Sequence, residues 1–162
     1  MHMSGRSHHH EHSGTLSLNR LAFSATAHCL TGCAIGEVLG MVIGTAWGLG
    51  NALTIALAVL LAFFFGYALT LVPLLRSGLA IRAAVGLALA ADTASITVME
   101  IVDNAIMLVI PGAMDAGLHT VLFWGSLAFS LVVAGIAAFP VNRFLIARGR
   151  GHAVVHQHHA RH

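Results

Sequence analysis

The chain has 162 residues, of which 57% are hydrophobic and only 9% are charged, and its mean hydropathy is +0.85. A soluble globular domain is about one quarter charged. This composition therefore excludes an ordinary soluble domain and favours a membrane protein. The sequence pI of 8.9 would suit a nucleic-acid partner, but the few basic residues are better explained by membrane topology, as described below.

Four apolar segments follow a polar, His-rich N-terminal tail, residues 1–20, which has no apolar core of a signal peptide. A membrane-spanning helix needs about 20 apolar residues, and each segment is long enough. The expected spans are Leu21–Trp47, Asn51–Leu75, Gly78–Ile110 and Gly117–Ile146. We therefore expect an all-α polytopic membrane protein, a four-helix transmembrane bundle in residues 21–146, followed by a His-rich tail in residues 147–162.

The first segment carries two lines of residues with a spacing of four. One line is small, which lets a second backbone come close, as in GxxxG contacts between membrane helices. It consists of Gly32, Gly36, Gly40, Gly44 and Gly48. The other line consists of Cys29, Cys33, Glu37, Met41 and Thr45, with His28 beside it. Because a four-residue step turns the helix by only 40°, the two lines lie on adjoining sides of one inward face.

The two cysteines are candidate metal ligands. A spacing of four places two thiols on the same side of a helix, as it does for metal-binding His pairs. Buried cysteine is also a common packing residue, and this interpretation stays open beside the first. The pair is Cys-x3-Cys, which is not the usual spacing for thiol–disulfide exchange. We expect Cys29 and Cys33 to form half of a metal site with Glu37 or His28.

The second segment carries a stripe of small residues, and the third carries a polar seam. The stripe predicts helix packing and consists of Thr54, Ala58, Ala62, Gly66 and Thr70. The seam places three carboxyl groups and two thioethers within an arc of about 100°. It consists of Asp92, Met99, Glu100, Asp103 and Met107. No Lys or Arg lies at this depth, so the acids need a cation, protons, or pairing with hydroxyls and amides of neighbouring helices.

The fourth segment and the tails add further candidate ligands. His119 precedes the fourth segment and is a candidate ligand at the outer end of the seam. Both tails contain several histidines, and short His tracts bind divalent transition metals. Potential ligands are therefore spaced across the whole bilayer.

The arginines predict the orientation. All eight lie in the tails, in the second connection or beside them, and the first and third connections have none. Cytoplasmic loops carry an excess of Lys and Arg. We therefore expect both termini to be cytoplasmic, in a bacterial inner membrane.

Three segments resemble an uncharacterised bacterial family of four-span membrane domains, some members of which carry names invoking copper. They are AHCLTGCAIGEVLGM (Ala27–Met41), DTASITVMEIVDNAIM (Asp92–Met107) and PVNRFLIARGRGHAVVH (Pro140–His156). The resemblance covers nearly everything from Leu21 to His156. It implies the four-span architecture and a loose link to copper, and it brings no catalytic assignment.

These observations predict an integral membrane protein that binds and transports a transition-metal cation. Thiol and thioether ligands select Cu(I), our first choice, and Zn(II) or another divalent ion is the second. Glu37 and Asp92 should face each other near mid-membrane, because both lie roughly 20–25 Å along helices that run the same way.

A membrane metallochaperone or assembly subunit and a membrane redox enzyme are the alternatives, and a role other than enzyme is favoured. The expected partners are the lipid bilayer and the metal ion. A homo-oligomer formed through Gly/Ala helix faces stays open, and no nucleic acid is expected.

Overall fold

The chain folds into four α-helices, as the sequence predicts. The computed structural model describes the backbone of residues 8–148 and the side chains of residues 17–148, and this part of the chain contains no β-strand. The helices are α1 (His8–Ala46), α2 (Asn51–Arg76), α3 (Ile81–Val109) and α4 (Val121–Ala147). Each has an apolar segment long enough to cross a membrane, which in α1 is Ser17–Ala46. The predicted fold class is confirmed.

Three helix starts differ from the predicted spans, and the smallest difference is in α3, which begins at Ile81 rather than Gly78. α1 extends back to His8, so part of the predicted N-terminal tail is helical. The rest of the predicted tails, residues 1–7 and 149–162, lies outside the described residues. α4 begins at Val121 rather than Gly117, because the Thr120 hydroxyl accepts a hydrogen bond from a backbone N–H of the first turn at 3.3 Å. Such an N-cap fixes where a helix begins.

Glycines end the first two spans at the predicted positions. Gly48 and Gly78 have φ angles of +63° and +86°, a conformation that glycine adopts without steric cost. After α1, the Leu49 N–H donates to the Gly44 carbonyl at 2.8 Å and so closes the helix end. The short turns reverse the chain, so that consecutive helices run antiparallel.

The four helices form a bundle in which α1 packs on α2 and α4, and α3 packs on the same two helices. α1 and α3 run in the same direction and face each other across the bundle. At one end Ala22 and Ala25 of α1 pack near Ile146 of α4, and we call this the tail end. At the other, Met41 packs near Met107, and we call this the loop end. The acids and sulfur-bearing residues of α1 and α3 therefore share one interior.

The two predicted stripes of small residues pack against each other. A Cβ atom added to Gly32 would lie 2.7 Å from the Gly66 Cα, and one added to Gly36 would overlap the backbone of Ala62. The register continues along both helices, and the remaining pairs are Gly40 with Ala58 and Gly44 with Thr54. The glycine face of α1 is thus occupied by α2 within the chain, and both stripes are confirmed as packing surfaces.

Replacing Gly36 by alanine should destabilise the bundle. The added methyl group would meet the Ala62 backbone, which has no rotamer with which to move aside, and overpacking of this kind costs about 1–3 kcal/mol. Thermal unfolding of the purified protein in detergent should show Gly36→Ala melting below the wild type.

The matched control is Gly125→Ala in α4, where an added Cβ meets nothing within 4 Å. This variant should melt at or slightly above the wild-type temperature, because alanine favours helix more than glycine does. Equal melting of the Gly36 and Gly125 variants would contradict the close α1–α2 contact.

Candidate functional site

Helices α1 and α3 turn nine of the eleven predicted ligands into the bundle. No more than 6% of any of these nine residues is exposed. They are Cys29, Cys33, Glu37, Met41, Asp92, Met99, Glu100, Asp103 and Met107. The structure arranges them in layers along the bundle axis, from the tail end to the loop end.

A neutral hydrogen-bond network joins three helices nearest the tail end. The Asn142 amide of α4 donates to the Thr26 hydroxyl of α1 and to the Ser95 hydroxyl of α3, both at 2.9 Å. Thr26 donates in turn to the Ala22 carbonyl at 2.8 Å. We call Thr26, Ser95 and Asn142 the neutral polar cluster. Its groups are satisfied within the fold, as buried groups in a membrane must be.

The two cysteines, which come next, contact different partners on α3. The Cys29 thiol lies 3.7 Å from Asp92 Oδ1, whereas Cys33 Sγ lies 4.0 Å from Met99 Sδ. Both thiols are buried, and neither is in a disulfide. We call Cys33 and Met99 the sulfur pair. Although the cysteines are one turn apart on α1, each therefore belongs to a separate contact.

Three carboxyl groups meet in the next layer, which we call the carboxyl cluster. Glu37 of α1 lies beside Glu100 and Asp103 of α3. The Ser130 hydroxyl of α4 donates to Asp103 Oδ1 at 2.5 Å, and the Asn104 amide approaches Glu100 Oε2 at 3.5 Å. Three helices thus contribute polar groups to a layer whose acids are each 5% exposed or less.

Four oxygen atoms of the carboxyl cluster accept no hydrogen bond of ordinary geometry from the described residues. They are both oxygens of Glu37, Oε1 of Glu100 and Oδ2 of Asp103. The neighbouring carboxyl groups can share a hydrogen bond with them only if one partner carries a proton. No arginine is buried among the described residues, and the whole chain has no lysine. The cluster therefore supplies acceptors and negative charge without a compensating base.

An apolar layer separates the carboxyl cluster from the loop end. Met41 and Met107 pack there with Phe123 and Leu127, and Ala113 of the α3–α4 connection packs with them. We call these five residues the loop-end apolar layer. Met41 and Met107 were predicted as ligands, and the structure places them among apolar side chains instead of beside the acids.

The predicted pairing of Glu37 with Asp92 is wrong by about two helical turns. Asp92 is level with Cys29, whereas Glu37 is level with Asp103. Cys29 and Glu37 are separated by about 12 Å along α1, at 1.5 Å per residue. The prediction measured depth from the expected first residues of α1 and α3 and assumed that these residues lie at the same level. They do not, because α1 begins well before its predicted first residue.

The two predicted histidine ligands lie apart from the seam. His28 is directed toward α2, where its Nε2 is 3.2 Å from the Thr70 hydroxyl. His119 is exposed in the α3–α4 connection, and its ring lies against Gly117. The predicted site of Cys29 and Cys33 with Glu37 or His28 is therefore not assembled with His28, whereas Glu37 is close enough to Cys33 to interact with it. Residues 17–148 hold no group of three or more His, Cys, Asp or Glu side chains arranged for a metal ion.

One comparison with known proteins gives a match. A family model described as Domain of unknown function (DUF4396) matches residues 18–151, which include the whole apolar bundle. The chain belongs to the DUF4396 family. No curated protein and no solved structure matches the chain. The predicted resemblance to an uncharacterised family is confirmed, and the seam of this DUF4396 bundle has to be interpreted from its own geometry.

Three neutral residues of this DUF4396 bundle were not among the predicted ligands: Asn104, Ser130 and Asn142. Asn142 had a usable signal in the sequence, since it is an amide in an apolar helix, and such residues often bond across helices. Asn104 carries the same signal, whereas the part that Ser130 plays depends on which acid lies opposite it.

Replacing Asn142 by alanine should loosen the tail end of the bundle. The change removes two interhelical hydrogen bonds, and each such bond in a membrane protein is worth about 0.6 kcal/mol on average and up to about 1.7 kcal/mol. We expect a loss of about 1–3 kcal/mol, measured as reversible unfolding in mixed micelles.

The matched control is Asn51→Ala, whose amide donates to Asp115 on the exposed surface of the loop end at 3.3 Å. This change should be nearly neutral, because water replaces an exposed hydrogen bond. If Asn51→Ala lost as much stability as Asn142→Ala, the buried hydrogen bonds of the neutral polar cluster would contribute no more to stability than an exposed hydrogen bond does.

Proposed function

We propose that this protein binds a cation inside the bundle and moves it across the membrane. The carboxyl cluster carries the proposal, because Glu37, Glu100 and Asp103 are buried together and four of their oxygen atoms accept no hydrogen bond of ordinary geometry. The three side chains do not form a ready ligand group, so cation binding requires them to reorient toward one another. Structural pairing accounts for Asp103 Oδ1, which accepts from Ser130, and for Glu100 Oε2, which the Asn104 amide approaches. Glu37 has the Asn104 amide and the acids Glu100 and Asp103 beside it, and neither of its oxygens accepts a hydrogen bond of ordinary geometry.

Electrostatics support a cation at this position. An ionised residue at the centre of a membrane helix costs about 2.5–3.5 kcal/mol, so three acids cost on the order of 8–10 kcal/mol. That is comparable with the whole net stability of a typical domain, about 5–15 kcal/mol. The described residues bury no basic side chain to offset this cost. A bound cation or bound protons are the remaining sources of positive charge.

The place of the carboxyl cluster along the bundle supports transport. Polar side chains lead from Thr26 past both cysteines to Glu37, a distance of about 16 Å along α1. Beyond Glu37 only the loop-end apolar layer remains before the opposite surface. A central site that is closed on one side by packed side chains suits alternating access, in which helices rock around a fixed site.

We propose a transition-metal ion as the cargo, Cu(I) first and Zn(II) or another divalent ion second. The buried groups near the cluster include two thiols and the Met99 thioether, and soft sulfur ligands select Cu(I). The carboxyl groups themselves suit harder ions, which keeps the divalent alternative. The copper-related names in the family that the sequence resembles point to the first choice.

A membrane metallochaperone or assembly subunit is the second candidate function. The loop-end apolar layer favours it, because a protein that takes up and returns an ion on one side needs no path through that layer. Flux across a bilayer separates the two functions.

We propose that both termini are cytoplasmic and that the membrane is a bacterial inner membrane. Every described arginine lies at or near the tail end of the bundle, where α1 begins, α2 ends, α3 begins and α4 ends. They are Arg20, Arg76, Arg82, Arg143 and Arg148. The positive-inside rule assigns such an end to the cytoplasm.

Single introduced cysteines should report this orientation. Asn51→Cys at the loop end should react with a membrane-impermeant maleimide on intact spheroplasts, and Ser77→Cys at the tail end should react only after lysis. The native Cys29 and Cys33 are 1% exposed and should stay unlabelled in both cases. Labelling of Ser77→Cys alone on intact spheroplasts would reverse the topology.

Glu37→Gln should abolish metal flux while leaving the fold intact. The amide keeps the size of the side chain and removes its charge, so the folded protein should be as stable as the wild type or more stable. Proteoliposomes with an enclosed fluorescent chelator should take up Cu(I) under anaerobic conditions with the wild type, and at the protein-free rate with this variant.

The control is Asp115→Asn, an exposed acid in the α3–α4 connection, which should transport as the wild type does. If Glu37→Gln retained full flux, the carboxyl cluster would be structural. If the wild type bound metal and moved neither Cu(I) nor Zn(II), the chaperone function would replace transport.

A further inference from the structure

We infer that the sulfur pair, Cys33 and Met99, binds a soft monovalent metal ion. This inference rests on the proposed function and deepens it, because it names two ligands and the class of ion. It also differs from the sequence prediction, in which Cys29 and Cys33 bind one ion together. The ion would lie one layer closer to the tail end than the carboxyl cluster.

The separation of the two sulfur atoms suits a bridging ion. Cys33 Sγ and Met99 Sδ lie 4.0 Å apart on α1 and α3, and both residues are 1% exposed. Metal–sulfur bonds are about 2.3 Å long, so an ion bonded to both atoms would have a sulfur–metal–sulfur angle of about 120°. That is the angle of a trigonal site. The helices need not move for both bonds to form.

The surroundings of Cys33 offer a third ligand and a negative field. Glu100 lies beside the Cys33 thiol, and Glu37 is also close enough to interact with it. Glu100 Oε1 accepts no hydrogen bond of ordinary geometry from the described residues, and once the Cys33 thiol has lost its proton this oxygen can bind the ion. When the metal–sulfur bond forms, the thiol proton is released, and the thiolate neutralises the single positive charge of the ion.

Cys29 has a separate partner that draws it away from this position. Its thiol approaches Asp92 Oδ1 at 3.7 Å, one turn nearer the tail end. Met107 is equally buried but packs with Phe123 in the loop-end apolar layer, where no thiol is near. Met41 and Met107 also meet across the bundle, but both are thioethers, so Cys33 and Met99 are the contact that joins a thiol to a thioether.

The ligand types select the ion. A thiolate with a thioether is a soft set, and such sets favour Cu(I) over harder divalent ions. Zn(II) in a closed site takes four ligands of Cys, His or carboxylate type, and residues 17–148 hold no ready group of even three. The sulfur pair should therefore prefer Cu(I), or Ag(I) as an air-stable probe, to Zn(II).

The test uses the full chain in detergent with one equivalent of Ag(I) and counts sulfur neighbours by X-ray absorption at the silver edge. Silver held by the histidines of the tails contributes nitrogen, so the sulfur count isolates the buried site. The informative variants are Met99→Leu, Cys33→Ser and Cys29→Ser. Met107→Leu is the matched control, since it also exchanges a buried thioether for a hydrocarbon of the same size.

Because silver on the tail histidines lowers the average count, the wild type, Cys29→Ser and Met107→Leu should show the same sulfur coordination, with two sulfur neighbours for each silver ion in the buried site. Met99→Leu should lose one of them and weaken binding by about tenfold or more, since even outer-shell changes cost 10–100-fold. Cys33→Ser should abolish sulfur coordination. Size-exclusion profiles check that each variant folds. If Cys33→Ser does not fold, the comparison of Met99→Leu with the wild type decides the test.

Three results would overturn the site. One is a wild type with no sulfur neighbours. Another is a Met99→Leu variant identical to the wild type, which would make the thiol–thioether contact ordinary packing. The third is an equal loss in Cys29→Ser and Cys33→Ser, which would place the ion on the cysteine pair. The same proteins in the flux assay keep the two proposals apart. Sulfur-bound silver without flux retains the site and removes transport. Normal Cu(I) flux together with any of the three overturning results retains transport and removes the site.

Discussion

The close approach of α1 and α2 is the contact on which the rest of the bundle depends. At Gly32, Gly36 and Gly40 the α2 backbone lies where any side chain would have to be, so α1 cannot rotate about its axis. Fixing this face also fixes the neighbouring line of the helix, about 100° further round, which carries Cys33 and Glu37. The packing of small residues against small residues therefore directs the thiol and the carboxyl group into the bundle. In an isolated helix nothing would determine which way they point.

The interior separates polar groups that the fold satisfies from polar groups that it does not. The Asn142 amide donates hydrogen bonds to two hydroxyls, and the Ser130 hydroxyl donates one to Asp103. Both contacts are what a protein in lipid needs, because no water is present to replace a lost partner. Glu37 is equally buried, yet both of its oxygens remain open among the described residues. A fold that satisfies its neutral groups and leaves its acids open is the arrangement that the proposed cation site requires.

The sequence was sufficient for those features that depend on periodicity and not for those that depend on register between helices. A spacing of four predicts both small-residue stripes, and their mutual packing follows, since small faces are the ones that let membrane helices approach. The partner of Glu37 depends on how far α1 is displaced along α3. Asp92 and Asp103 are 11 residues apart on α3, and α1 begins 13 residues before its predicted start, so depth counted from the starts gives Asp92 instead of Asp103. The contact of Met99 with Cys33 was hidden for the same reason.

The rigid α1–α2 pair also limits how the seam can open. Separating α1 from α2 would break the close backbone contact at Gly32, Gly36 and Gly40, so the opening that the proposed transport requires would occur where α1 meets α3 and α4. The α1–α4 boundary already has an apolar groove of about 420 Å³, lined in part by Leu30 and Gly135, and its packing is looser than that of the glycine face. A tilt of α3 and α4 as a unit against α1 and α2 would part the loop-end apolar layer, in which Met41 comes from the first pair and Met107 and Phe123 come from the second. Rigid-body rocking of two helix pairs is a known form of alternating access. In this bundle it would expose Glu37 to the loop end without disturbing the contact that holds it in place.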